Sequence, residues 1–214
     1  MELSTDVSSS PAAPPLSRRS QQKEETHERI VRAALHLFEK RGFAATRTQD
    51  IAEEAGISHG SIFVHFRTRD ELLIHVCQRF LTAVDAQTRQ GLRGSAGLEP
   101  FLFAHMEAIS AHEALYTRLV QELSALPAEV RALMLETQSA VSAHLKMVLR
   151  KDDAFLNLDP SEHPFLFNAW MGVLTYYLLN RDNFTTSEHL LKEQGAQIVE
   201  LFLKLVHAKR GLTQ

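Results

Sequence analysis

The sequence predicts an all-α protein. Apolar residues recur at helical spacing through most of the chain, and no segment alternates apolar and polar residues as a half-buried strand does. Glycine is also scarce, with 9 residues in 214. A composition of 44% hydrophobic and 23% charged residues is ordinary for a globular chain, and this length buries enough apolar surface to need no disulfide or metal staple. The single cysteine, Cys77, excludes an internal disulfide and suits a reducing compartment. No apolar run approaches the roughly 20 residues of a membrane-spanning helix. The N-terminus lacks the basic start and apolar run of a secretory signal. A cytoplasmic protein with no membrane partner is therefore expected.

The helices follow in order. Residues 1–21, rich in Ser, Ala and Pro, read as a disordered tail; its Arg18 and Arg19 suit either a DNA backbone or plain solvation. From Glu24 a helical stripe sets in, with Ile30, Ala33, Ala34, Leu37 and Phe38 on one face, and Gly42 ends it behind Lys40 and Arg41. Thr46 or Thr48 caps a short second helix carrying Ile51, Ala52 and Ala55 inward. Gly56-Ile57-Ser58 is a tight turn, and Ser58 caps a third helix ending near Phe66. Thr68 and Glu71 form a capping box that opens a fourth, striped by Leu73, Val76, Cys77, Phe80 and Leu81. Gly91 to Gly97 reads as a flexible joint, after which helices are predicted at 98–111, 113–124, 127–151, 162–180 and 187–208.

Two short helices across a glycine turn, backed by an earlier helix, are the parts of a helix-turn-helix. Ile62 and Phe66 lie one turn apart and point inward, which leaves Ser58, His59, Ser61 and His65 on other faces, able to hydrogen-bond in a major groove. Charge does not decide the matter. The chain carries −3 overall, and residues 17–80 hold 11 basic and 9 acidic side chains against 12 and 15 in residues 81–214.

The stretch from about Glu25 to Leu73 is dense with Ala33-Ala34, Leu37-Phe38, Gly42-Phe43, Thr46, Ile51-Ala52, Ala55-Gly56-Ile57-Ser58, Gly60, Ile62, His65-Phe66 and Leu72. It resembles the DNA-binding domain of the TetR family of bacterial transcriptional regulators. The resemblance implies a three-helix head at 22–82 and a larger helical domain at 83–214 that binds effector and dimerises. It implies Thr46 as a phosphate contact and Thr48 and Gln49 as backbone or base contacts. It further implies His59, Gly60, Ser61 and His65 as the groove-facing positions, after Ser58 at the turn. Arg69 replaces the lysine that usually anchors a phosphate, and a guanidinium suits that role. Two positions depart from the family. Phe63 stands where tyrosine is usual, so a phosphate-bonding hydroxyl is missing, and Phe63 reads equally well as core. Arg47 stands where Ser or Thr commonly caps the second helix; it forfeits that cap and adds a cation near the backbone.

The implied partners are double-stranded operator DNA, a second copy of the chain and a small-molecule effector, with repression as the expected outcome. No cofactor or metal is expected. Phe101, Phe103, Met106, Tyr116, His144, Met147, Trp170, Met171, Leu174 and Tyr177 fall in the segments that enclose the family's ligand cavity. They favour a hydrophobic or aromatic effector bound among a few polar tips. Gly172, Gly195, Ile198, Leu201, Phe202 and Leu205 are expected at the dimer interface, with Val206 extending the stripe. An enzyme is the competing class, but no nucleophile elbow, P-loop or dinucleotide fingerprint is present. An architectural DNA-binding protein without a ligand is the other alternative, and the roughly 130-residue second domain argues against it.

Overall fold

A computed structural model describes residues 17–93, 97–152, 155 and 159–211. Among them run α1 (Arg18–Arg41), α2 (Thr48–Ala55), α3 (His59–His65), α4 (Arg69–Gly91), α5 (Leu98–Ser110), α6 (Glu113–Glu122), α7 (Ala128–Leu149), α8 (His163–Leu179) and α9 (Leu190–Gly211), with no strand among the described residues. The all-α prediction is met.

Residues 1–16 of the expected tail lie outside the described residues, but Ser17 caps α1 by accepting the Ser20 N–H at 3.2 Å, so 18–21 are helical rather than tail. The α1 stripe of Ile30, Val31, Ala33, Ala34, Leu37 and Phe38 is buried, as its spacing dictates. The box at the start of α4 forms in a shifted version. Thr68 Oγ1 accepts the Glu71 N–H at 3.0 Å, while the Glu71 carboxylate reaches back to the N–H of Arg67 at 2.7 Å, one residue beyond the cap.

α4 runs unbroken through the expected domain boundary at 82/83 and through Gly91. Leu72, Leu73 and Val76 near its start and Leu81 and Val84 further on belong to one apolar core that continues from the head into the body. α4 packs on α5 and α7, α5 on α9, α8 on α7 and α9, and α6 on both α1 and α8. Gly91 permits the α4–α5 approach, since a Cβ there would lie 2.8 Å from the Ala104 Cβ. Residues 94–96 of the expected joint lie outside the described residues.

Several residues expected at a dimer interface serve the protomer itself. Ile198 and Phe202 are buried in the core, Phe202 against Trp170 with ring centres 5.3 Å apart. Gly195 brings α9 onto α5, because a Cβ there would sit 2.3 Å from Met106 Sδ. A single stripe on α9 was split by its own fold, because the protomer core claims one edge of it. Leu201 and Leu205 remain exposed on the other edge, and Gly172, Tyr176 and Leu179, at i, i+4 and i+7, are exposed along one face of α8.

Candidate nucleic-acid interface

The turn between α2 and α3 is fixed by its backbone. Gly56 sits at φ 64° and ψ 43°, the left-handed conformation that closes a helix, and its N–H and that of Ile57 return to the end of α2. α1 supplies the brace that sequence patterns do not reveal. The Arg29 guanidinium donates to the carbonyl of Ala55 and, at 3.0 Å, to that of Gly56, satisfying the C-terminal carbonyls of α2. Ile62 and Phe66 are buried beneath α3, as their spacing predicts. α3 therefore stands on the head as a short rigid element with His59, Gly60, Phe63 and Val64 facing solvent.

On the outer surface the polar groups are ordered by one another. His59 Nε2 lies 2.9 Å from Thr48 Oγ1, and the hydroxyls of Ser58 and Ser61 lie 2.7 Å apart. Gln49 donates to the Glu53 carboxylate at 3.2 Å. Ser58 holds the cap position of α3 with extended backbone, but its hydroxyl pairs with Ser61 instead of capping. Arg47 holds the cap position of α2; its side chain has no acceptor to offer, and the Asp50 carboxylate takes the Arg47 N–H at 3.1 Å. Thr48 lies inside α2 and is not its cap. Phe63 is 44% exposed, which settles its reading against core.

Three residues expected to contact DNA have partners within the head. Thr46 is buried, and its hydroxyl donates to the Gly42 carbonyl at 2.7 Å, closing the α1–α2 turn rather than meeting a phosphate. The half-buried Arg69 donates from its guanidinium to the carbonyl of Phe43 and, at 3.3 Å, to that of Thr46, with the Asp70 carboxylate 3.9 Å away. A guanidinium carries five donors, and the turn places the carbonyls of Phe43 and Thr46 within its reach. His65 is half-buried and turns toward His27 of α1, ring centres 6.0 Å apart, beside a His27–His75 pair whose Nε2 atoms lie 3.4 Å apart. Burial, and then the neighbouring His27, hold His65 below the ordinary imidazole value.

The turn that Arg69 grips by its carbonyls is gripped by its amides from the body. The Glu122 carboxylate at the end of α6 accepts the N–H groups of Phe43 at 3.1 Å and Ala44 at 2.7 Å. A second tie joins His112 to Glu39 of α1 at 2.8 Å. At its other end α6 carries the buried Glu113, which accepts the N–H groups of Leu190 at 2.9 Å and Leu191 at 3.0 Å and so caps α9. Glu113, Glu122 and Arg29 act over long sequence separations, and no local signal marks them. A cavity of about 300 Å³ lies at this seam, lined by Phe43, Ala44, Arg69, Asp70, Leu73, Glu122, Ala125, Leu126 and Pro127. None of the residues expected to contact an effector lines it.

Those residues do gather in the body. Phe101, Met106, Tyr116, Trp170 and Leu174 are buried in its core, and Phe103, Met171 and Tyr177 pack half-buried against it. His144 lies 3.6 Å from Asp85 between α4 and α7. Met147 departs from the expectation: it is 54% exposed on α7 and points away from the core. The polar tip that sequence reasoning missed is His105, whose Nδ1 accepts the Trp170 indole N–H at 3.0 Å. Burial pushes this imidazole down to about 4, so it is neutral.

The family model for "Bacterial regulatory proteins, tetR family" matches residues 30–76. Over 158 residues the chain is 30% identical to the HTH-type transcriptional repressor KstR2 of Rhodococcus jostii, a match covering 69% of this chain and 78% of that protein. It is 44% identical over 57 residues to an uncharacterized HTH-type transcriptional regulator, YerO of Bacillus subtilis, spanning 27% of this chain and only 20% of that protein. Among solved structures, the TetR family regulator PfmR of Thermus thermophilus superposes with a TM-score of 0.64 at 22% identity, covering 82% of this chain and 97% of that one. The regulator FadR of Bacillus subtilis, solved in complex with stearoyl-CoA, has a TM-score of 0.64 at 15% identity with the same coverage. Likeness at these identities establishes the shared fold.

Proposed function

Because the chain belongs to the tetR family of bacterial regulatory proteins, a family of regulators and not of enzymes, we propose that it is a repressor that binds a near-palindromic operator as a homodimer and is released by a small apolar effector. The observation that carries the DNA-binding part is the braced α2–α3 unit, which holds His59, Gly60 and Phe63 outward, with Ser61 half-buried beside them, on a short helix. Arg47, Thr48 and Gln49 at the start of α2 supply the neighbouring backbone contacts. Gly172, Leu201 and Leu205, with Tyr176 and Leu179, form the surface on which a second copy docks, since an apolar face of this kind is stable only when covered. Such a dimer presents two copies of α3 to adjacent major grooves, about 34–36 Å apart.

The effector reading is supported by the body around Trp170, where aromatic and aliphatic side chains surround the His105–Trp170 hydrogen bond. The sequence segments that carry these groups hold no cluster of Arg or Lys. A structural neighbour was solved with stearoyl-CoA, and an acyl chain is the kind of apolar group this core would accept. Release follows from the ties of α6. An effector that favours a shifted α6 also moves the Phe43–Ala44 turn through Glu122, and it acts only by its differential affinity for the two states. The test is selection of random duplex DNA by the purified full-length protein, followed by footprinting. A single enriched near-palindrome is expected; no enrichment at physiological salt would overturn the DNA-binding reading. Apolar compounds are then screened for quenching of Trp170 fluorescence together with release of that DNA. Release only by charged metabolites that carry no apolar chain would overturn the effector assignment.

A further inference from the structure

α3 holds out its polar and its apolar groups differently. The polar tips are already engaged within the head, His59 with Thr48 at 2.9 Å and Ser61 with Ser58 at 2.7 Å. The helix also holds out apolar groups that have no such polar partner. Val64 is 71% exposed and Phe63 44%. With Gly60 they fall at i, i+3 and i+4 on one face, and a Cβ built at Gly60 would meet nothing within 4 Å. The Phe63 ring is steadied by the His59 ring, which meets it in a T-shape with centres 5.3 Å apart. Val64 is β-branched and confined to essentially one rotamer in a helix, so it meets a partner without losing side-chain entropy. The sequence pattern gave no reason to single it out, since a valine between Phe63 and His65 reads as filler.

An apolar face on a groove-reading helix has one natural counterpart. Among the four base pairs, the thymine 5-methyl is the apolar group on the floor of the major groove. We propose that Val64, backed by Phe63, reads a thymine methyl at a fixed position in each half-site and is a specificity-determining residue of this protein. The open space at Gly60 lets the helix approach closely enough for that contact. The inference rests on the DNA-binding reading above and adds to it the chemistry of one base position.

The experiment starts from the operator selected by the full-length protein. Each thymine of a half-site is replaced in turn by uracil, which deletes the methyl and nothing else. One position is expected to be sensitive, with about fourfold weaker binding for one half-site and about fifteenfold when both are changed. Val64→Ala is then measured on both duplexes. It is expected to abolish the thymine–uracil difference at that position and to retain any difference elsewhere. Phe63→Leu is expected to reduce the difference without abolishing it. Thermal melting of each variant checks that the head stays folded. Absence of any uracil-sensitive position, or an unchanged difference in Val64→Ala, would overturn the inference and leave the DNA-binding reading standing. Failure to enrich any DNA sequence would overturn both. If Val64→Ala instead changes the self-association of the protein without DNA, the face serves a protein contact and the inference falls.

Discussion

Replacing Glu122 by alanine cuts the seam between head and body at its most defined point. Two N–H groups, of Phe43 at 3.1 Å and of Ala44 at 2.7 Å, lose a charged acceptor together. The fit is tight: Gly42 has φ +83°, and a Cβ there would lie 2.3 Å from Glu122 Oε1. A hydrogen bond to a charged group contributes about 1.5–3 kcal/mol. The Ala44 side of the seam is exposed, so water replaces much of that bond, whereas the Phe43 N–H is part-buried. One full bond and a fraction of the second put the loss at about 2–3 kcal/mol. For a chain of this size each kcal/mol moves Tm by about 2–4 °C, so a fall of about 5–10 °C is expected. Chemical denaturation gives the free energy, and amide hydrogen exchange gives the place. Phe43 and Ala44 should lose protection while the amides of α8 keep theirs. Glu122→Gln, with one acceptor kept and one N–H turned against a donor, should fall between wild type and alanine. A loss below about 0.5 kcal/mol with both amides still protected would refute the clamp.

Four further outcomes follow from the same geometry. Burial holds His105 at about 4 in the fold against 6.5 when exposed, so the unfolded chain binds a proton that the fold refuses. Stability should therefore fall as pH drops from about 6.5 toward 4, by up to about 1.4 kcal/mol per pH unit, and denaturation of His105→Gln should show a flatter slope. Leu201→Glu with Leu205→Glu changes side chains that are 43% and 58% exposed, so sedimentation should find folded monomers; a native dimer of that variant would sink the proposed interface. Arg69→Ala should lower Tm and leave the salt dependence of DNA binding unchanged, because its guanidinium holds carbonyls; a slope reduced by about one unit would restore it as a phosphate anchor. Ser61→Ala or His59→Ala should lower discrimination between operator and mismatched DNA by about 1–3 kcal/mol, read from competition binding.

The helices were legible because their causes are local. The stripe in α1, the capping residues before α4 and the glycine that closes α2 each act within a few residues, and the structure uses all of them. The candidate interface was legible in part. Spacing placed Ile62 and Phe66 inward and left His59 outward, and so they stand, while Ser61 is half-buried. Three expected contact residues are placed by something spacing does not record. Thr46, Arg69 and His65 carry groups able to contact DNA, but a closer acceptor or a neighbouring ring in the fold takes each of them first.

By itself the sequence determined that this chain is helical, roughly where most of its helices lie, and that its head is a helix-turn-helix; the start of α1 at Arg18 and the bounds of α7 and α9 were set differently. Periodicity, capping and turn residues are properties of short stretches, and they survive whatever the rest of the chain does. Only the tertiary structure decided which face of α9 is core and which is surface. A stripe records that residues are apolar and not what they meet, and Met106 of α5 had already claimed the edge at Gly195. Tertiary structure also decided that Glu122 would hold the turn at Phe43 and that Glu113 would cap α9. A buried or partly buried N–H takes whatever acceptor the packing brings within 3 Å, and residues 77 to 79 positions apart meet only after the helices between them have packed.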